Sequence, residues 1–296
     1  MQLLVILIAL ILRRVWNPPS IYRTDLEQSD LARRLIKLWQ LPGLNNRSVT
    51  FNYIVITLVA VLLFAYVYYQ VDHGLFGLVG VAVQAALLFL LLGPQQTEYA
   101  LRDYLPKWRA QDPEALQDFI QQHFGKTVEG DVWQLHFEFW KAWVNQWLAR
   151  FFTPLFWYFL LGPLALFWLA FNRSLLLKPE ESPLEQRQIK INHIVQTIEQ
   201  ALSWAPARVL AFTFLITGNF AKVIDDVGRG LLDWKLAEAD LVAESAKEAL
   251  SIRPWMQKIE ERITQAERQL QALRRLLYRT VSVWIGIIAG FTIIFG

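Results

Sequence analysis

The sequence contains no cysteine, which removes a disulfide framework, a thiolate metal site and a cysteine nucleophile without choosing a compartment. Histidine is scarce: His73, His123, His136 and His193 lie far apart and lack the i, i+4 spacing of a helical metal pair. No metal is expected, and each histidine reads as a surface or interface residue. There is no GxSxG, no GxGxxG and no serine with a base close by in sequence. Gly125-Lys126-Thr127 imitates the end of a phosphate-binding loop, but Ile120 stands where that loop needs its first glycine, and a helix rather than a strand precedes it. The net charge of +3 is small, and no basic-aromatic pattern offers bases a stacking surface, so nucleic acid is not an expected partner. No catalytic residue and no cofactor are expected.

What is abundant is apolar surface. A composition that is 54% hydrophobic and 14% aromatic, with a mean hydropathy of +0.28, exceeds what a soluble domain of 296 residues needs for its core. The excess points to lipid. Thirteen Trp and nine Tyr suit a membrane-water interface, and a pI near 9.1 is read as positive-inside bias in the loops.

A bilayer span takes about 20 apolar residues. Phe51 to Tyr69 and Leu75 to Gly93 qualify, and only Gln70 to Gly74 separate them, which predicts a tight antiparallel hairpin. The upstream flank, Arg13 to Thr50, carries seven basic residues (Arg13, Arg14, Arg23, Arg33, Arg34, Lys37 and Arg47) against three acids, whereas the turn carries no Lys or Arg. That contrast puts the flanks in the cytosol. Phe152 to Phe171 is interrupted by Pro154 and Pro163 and either spans or dips and returns. Ala205 to Phe220 starts at Pro206 and holds Arg208, which predicts a short, half-buried or tilted segment. The last apolar run, Thr280 to Phe295, follows Arg274, Arg275 and Arg279, which puts its start in the cytosol and its end in the periplasm. Met1 to Leu12 has its arginines after the apolar run, unlike a signal peptide, and reads as an uncleaved helix with its N-terminus outside or lying partly in the membrane.

Between these runs the chain shows amphipathic helices. Asp112-Pro113-Glu114 supplies an N-cap, a proline at the first helical position and an acid in the first turn, followed by an apolar face of Leu116, Phe119 and Ile120. Asp131 with Gln134 forms a capping box ahead of Val132, Leu135, Phe139, Trp143, Trp147 and Phe151 at helical spacing. The other side of that helix, with Glu138, Lys141 and Asn145, reads as a solvated face. Asp225-Asp226, a carboxylate pair at a membrane boundary, reads as a cap or a plainly exposed pair, with a held cation as the alternative. Met256, Ile259, Ile263, Ala266, Leu270, Leu273 and Leu277 form a heptad seam that Pro254 can open and that continues without a breaker into the last span. The seam packs either on the preceding helix, Leu231 to Ile252, or on a partner or second copy through 256–277.

Two strings go beyond periodicity. Arg150-Phe-Phe-Thr-Pro154-Leu155-Phe156-Trp157, followed by Leu161-Gly162-Pro163, resembles the PLFW-type segment of the AmpE membrane proteins, a branch of the superfamily that includes the CobD/CbiB cobalamin-pathway synthases. Ala201 to Leu210, containing Trp204, Pro206 and Arg208, resembles the W-x-P-x-R element downstream in those families, in the same order and at a similar separation. The synthases carry polar strings between the two elements, to which only Asn172 could correspond here. The resemblance therefore implies the AmpE branch: an inner-membrane protein connected with β-lactamase induction and peptidoglycan-recycling signalling, with a membrane-bound synthase of the CobD/CbiB type as the alternative. A transporter subunit ranks last, because no inverted repeat is visible.

A guanidinium at the head of an apolar segment needs compensation, so Arg208 is expected to close a polar cluster beneath the PLFW turn, with Glu199, Asn145, Glu138 and Asn219 as candidate partners. Arg150, Trp157 and Asn172 complete the candidate site, which is either a structural clamp or the remnant of an anionic-ligand pocket. The small-molecule ligand is not identified. The expected fold is an all-α integral membrane protein with about four to six membrane-embedded helices and cytosolic amphipathic helices. Residues 1–296 form a single membrane domain: an N-terminal helix and basic segment over 1–50, a transmembrane hairpin over 51–93 and a cytosolic helical segment over 94–150. A PLFW/PxR core over 151–220, a cytosolic helical hairpin over 221–279 and a terminal span over 280–296 follow.

Overall fold

A computed structural model describes residues 2–15, 49–74, 77–92, 96–176, 186–218, 237–251 and 259–295. Its regular structure is entirely helical over those residues: α1 (Gln2–Val15), α2 (Val49–Gly74), α3 (Leu78–Leu92), α4 (Gln96–Ala110), α5 (Pro113–Phe124), α6 (Val132–Trp147), α7 (Thr153–Leu161), α8 (Pro163–Ser174), α9 (Gln186–Thr217), α10 (Glu238–Ala249) and α11 (Ile259–Phe295), with a π-helical turn at Leu148–Phe152. Most of the basic N-terminal flank, Asn219, Asp225-Asp226, Pro254 and Met256 fall outside the described residues.

The chain divides into two compact units, Met1–Pro94 with Pro154–Leu202, and Gln95–Thr153 with Ser203–Gly296. In the first, α3 packs on α1 and α8, and α2 packs on α8. Tyr53, Phe171, Leu175, Ile191 and Val195 form a core where α2, α8 and the start of α9 meet. In the second unit α4, α5 and α6 pack on one another, α10 lies on α6 and α11 touches α4. Its core is aromatic: Tyr104 stacks on Phe139 at 3.6 Å, and Trp108 meets Trp133 edge-on at 5.0 Å.

Local chemistry explains the helix starts. The Asp112 carboxylate accepts from the backbone N–H groups of Glu114 and Ala115, and Asp131 and Gln134 form a reciprocal capping box. Each satisfies donors that a helix N-terminus otherwise leaves unpaired. Past Trp147 the helix widens into a π turn, in which Thr153 N–H bonds to the Leu148 carbonyl, five residues back. This turn sits immediately before Pro154, which has no N–H to continue the regular ladder. The apolar run then breaks at Gly162, whose φ of 68° and ψ of −149° suit only glycine, and Pro163 opens α8. The segment is thus two short helices, not one straight span.

Two helical stretches, Val49–Gln70 and Ile263–Ile294, are long and apolar enough to cross a membrane. Only 17% and 22% of their most apolar windows are buried, whereas the core helix of a soluble protein is mostly buried. Ile54, Leu58, Leu62, Leu63 and Val67 on α2, and Ile287, Phe291, Ile293 and Ile294 on α11, are exposed. The second arm of the expected hairpin, α3, has 15 residues, which at about 1.5 Å each fall short of a hydrocarbon core of about 30 Å.

Several expectations need correction. α2 runs through Gly74, so residues 70–74 belong to the helix and not to a turn. Pro206 does not begin a helix; it sits inside the 32-residue α9. His136 is a core residue only 3% exposed, not a surface one, while His123 and His193 are exposed. The side of α6 that carries Lys141 is partly covered instead of fully solvated: α10 packs there, Asp240 pairs with Lys141, and Lys247 sits over the Phe137 ring. As the unbroken heptad pattern predicts, α11 is one continuous helix, with seam residues Ala266, Leu270, Leu273 and Leu277 buried in the chain's own fold. Its polar ties run to α4, where Arg109 pairs with Glu267 at 2.6 Å and Arg274 with Glu98 at 2.8 Å, and to α9, where Trp284 donates to the Thr213 hydroxyl at 3.1 Å and Thr280 meets Thr217 at 3.3 Å.

Candidate functional site

The two family-like strings meet through one hydrogen bond. In a regular helix the Leu202 carbonyl would accept from the residue four positions on, but that residue is Pro206, which has no N–H. The indole Nε1–H of Trp157 donates to that carbonyl at 2.8 Å. Trp157 thus supplies from α7 the donor that Pro206 removes from α9, and α9 continues through the proline. Arg208 lies over the Trp204 ring at 4.0 Å and donates from Nη1 to the Trp204 carbonyl at 3.2 Å. A guanidinium on an aromatic face one helical turn away keeps its charge partly compensated within its own helix.

The remaining polar groups of the first unit are also used between helices. Asn172 is fully buried, and its Oδ1 accepts from the Tyr53 hydroxyl at 2.5 Å, tying α8 to α2. Its Nδ2 has no partner among the described residues. Arg173, next in sequence, pairs through Nε with Glu199 Oε1 at 3.0 Å, and both side chains are largely shielded. Ile191, Val195 and Ile198 bring that face of α9 onto α8, and Glu199 follows on the same face. Tyr158 donates to Gln84 Oε1 at 2.7 Å, and Gln84 Nε2 donates to the Tyr68 hydroxyl at 2.6 Å. Such bonds fit helices that associate in an apolar surrounding, where each polar group must find a partner within the protein.

Of the expected site residues, Trp157, Asn172 and Glu199 belong to the first unit, and Glu138, Asn145, Arg150 and Arg208 to the second. Glu199 is paired with Arg173, a partner the sequence reading missed because it sought only a match for Arg208. Glu138 is half-buried near Lys141, whose pKa is raised, first by its hydrogen bond to Asp240 and then by the surrounding carboxylates. Asn145 is half-buried with its Nδ2 unpartnered among the described residues, and Arg150 lies in the π turn. Gln84 was also missed; the signal was a lone amide inside an otherwise apolar helix.

The second unit holds a buried polar pair, Tyr104 Oη and His136 Nδ1, at 2.9 Å. Burial lowers the His136 pKa to about 3 and raises that of Tyr104, so both are neutral near pH 7. Among the described residues no three His, Asp or Glu side chains group in a way that could hold a metal ion. Compared with protein-family models, curated proteins and solved structures, the chain matches none.

Proposed function

We propose that this chain is a non-catalytic regulatory or sensory protein of the bacterial inner membrane, of the AmpE type, acting in β-lactamase induction and peptidoglycan-recycling signalling. In this reading it crosses the bilayer several times on four to six embedded helices, with its C-terminus in the periplasm. The membrane part rests on the exposed apolar faces of α2 and α11, which a watery surrounding would penalise at about 25 cal/mol per Å². The AmpE part rests on the two strings and on one observation above all: Trp157 of the first bonds the Leu202 carbonyl of the second. The regulatory part is supported by the use of the polar groups. Asn172, the one residue that could correspond to the synthase strings, bonds to Tyr53 instead of facing an open pocket.

Two experiments test the reading. Deleting the gene should change β-lactamase inducibility, and purified protein should show no turnover; restoration of cobamide synthesis in a strain lacking its synthase would overturn the assignment. The membrane part predicts that the purified chain needs detergent, and a monodisperse preparation in plain buffer would refute it.

A further inference from the structure

We infer that the head of α11 carries a binding site for the phosphate of an anionic phospholipid, resting on the reading that α11 enters a membrane. An open cavity of about 550 Å³ along one face of α11 is lined by Gln271, Arg274, Arg275, Tyr278 and Arg279. Its three cations are not equivalent. Arg274 bonds Glu98 at 2.8 Å, and Tyr278 donates to the same carboxylate at 3.0 Å, so that charge is answered within the fold. Arg275 and Arg279 are exposed and have no carboxylate partner among the described residues. Four positions apart on one helix, they are neighbours, and like charges so placed repel. A doubly approached anion converts that repulsion into a charge-assisted fork, the geometry in which guanidinium binds phosphate.

The position selects the source of the phosphate. Beyond Arg279 the helix exposes Ile287, Phe291, Ile293 and Ile294. On the reading that this stretch is embedded, cations at its head lie at headgroup level. The two guanidiniums therefore stand where lipid phosphates lie, while the arginine stems and the Tyr278 ring give the cavity apolar walls suited to the start of an acyl chain. A soluble phosphate would use the cations but not those walls.

The full-length chain, purified in mild detergent and reconstituted into nanodiscs, tests this through the lipid it retains and its preference for phosphatidylglycerol over phosphatidylcholine. Arg275→Gln with Arg279→Gln should lower that preference about thirtyfold, while Arg275→Lys with Arg279→Lys should keep most of it. Unchanged preference in the Gln pair, equal loss in both pairs, or displacement of the lipid by inorganic phosphate alone would overturn the site. A Gln pair that keeps its lipid while the protein still requires detergent sinks this inference and leaves the membrane reading standing.

Discussion

Replacing Trp157 by Phe removes the only N–H that the indole offers to the Leu202 carbonyl while keeping most of the ring. Leu202 is 8% exposed, so water has little access to the carbonyl it would have to satisfy. A buried polar group left unpaired costs about 1–3 kcal/mol, and Trp157→Phe should destabilise the chain by that amount. The same substitution made in a Pro206→Ala background should cost less than about 1 kcal/mol, because residue 206 then has an N–H that can take over the Leu202 carbonyl. The difference between the two backgrounds is the coupling between Trp157 and Pro206, read as a double-mutant cycle. Thermal unfolding in detergent is a suitable assay, at roughly 2–4 °C per kcal/mol for a chain of this size. Equal losses in the two backgrounds would show that Trp157 does not stand in for the missing donor, and the account of how the two strings meet would fail.

Two further outcomes follow from packing and titration. Gly218→Ala would place a methyl 2.6 Å from the Ala249 Cβ and 2.8 Å from the Ala249 carbonyl; overpacking of that kind costs about 1–3 kcal/mol, and a melting temperature equal to that of the wild type would refute the close approach. His136 binds its proton at about pH 3 in the fold and near 6.5 when unfolded. Between those values the unfolded chain holds more protons, so stability present above pH 6.5 should fall as pH drops toward 3, by up to about 1.4 kcal/mol per pH unit. His136→Asn, which keeps a hydrogen-bonding group for Tyr104 but cannot titrate, should flatten that part of the stability profile, and an unchanged slope would place the acid sensitivity elsewhere.

The parts of the fold that were legible in sequence depend on near neighbours. Asp112 and Asp131 cap the next few N–H groups along the chain, so a side chain of the right type just ahead of a periodic run marks the helix start. Pro163 behind Gly162 likewise marks a break, because one ring and one missing Cβ act on their own backbone. The heptad spacing from Ile263 to Leu277 marked which side of α11 is buried, since periodicity identifies a face. It did not identify what lies against that face: the polar ties of α11 go to α4, more than 150 residues away in sequence, and to α9, 63 to 71 residues away, and the preceding helix lies on α6.

The same limit explains the candidate cluster. Arg208 was recognisable as a charge needing compensation because desolvation is a property of the group itself. Which groups supply that compensation is a question of three-dimensional neighbourhood, and Trp204 does so within the helix while Glu199 turns to Arg173. Pro206 shows the division most clearly. From sequence it reads as the start of a helix, since a proline inside one leaves a carbonyl four residues earlier without a donor. Only the folded chain carries Trp157 to within 2.8 Å of that carbonyl, and with a donor supplied from another helix the chain has no reason to stop there.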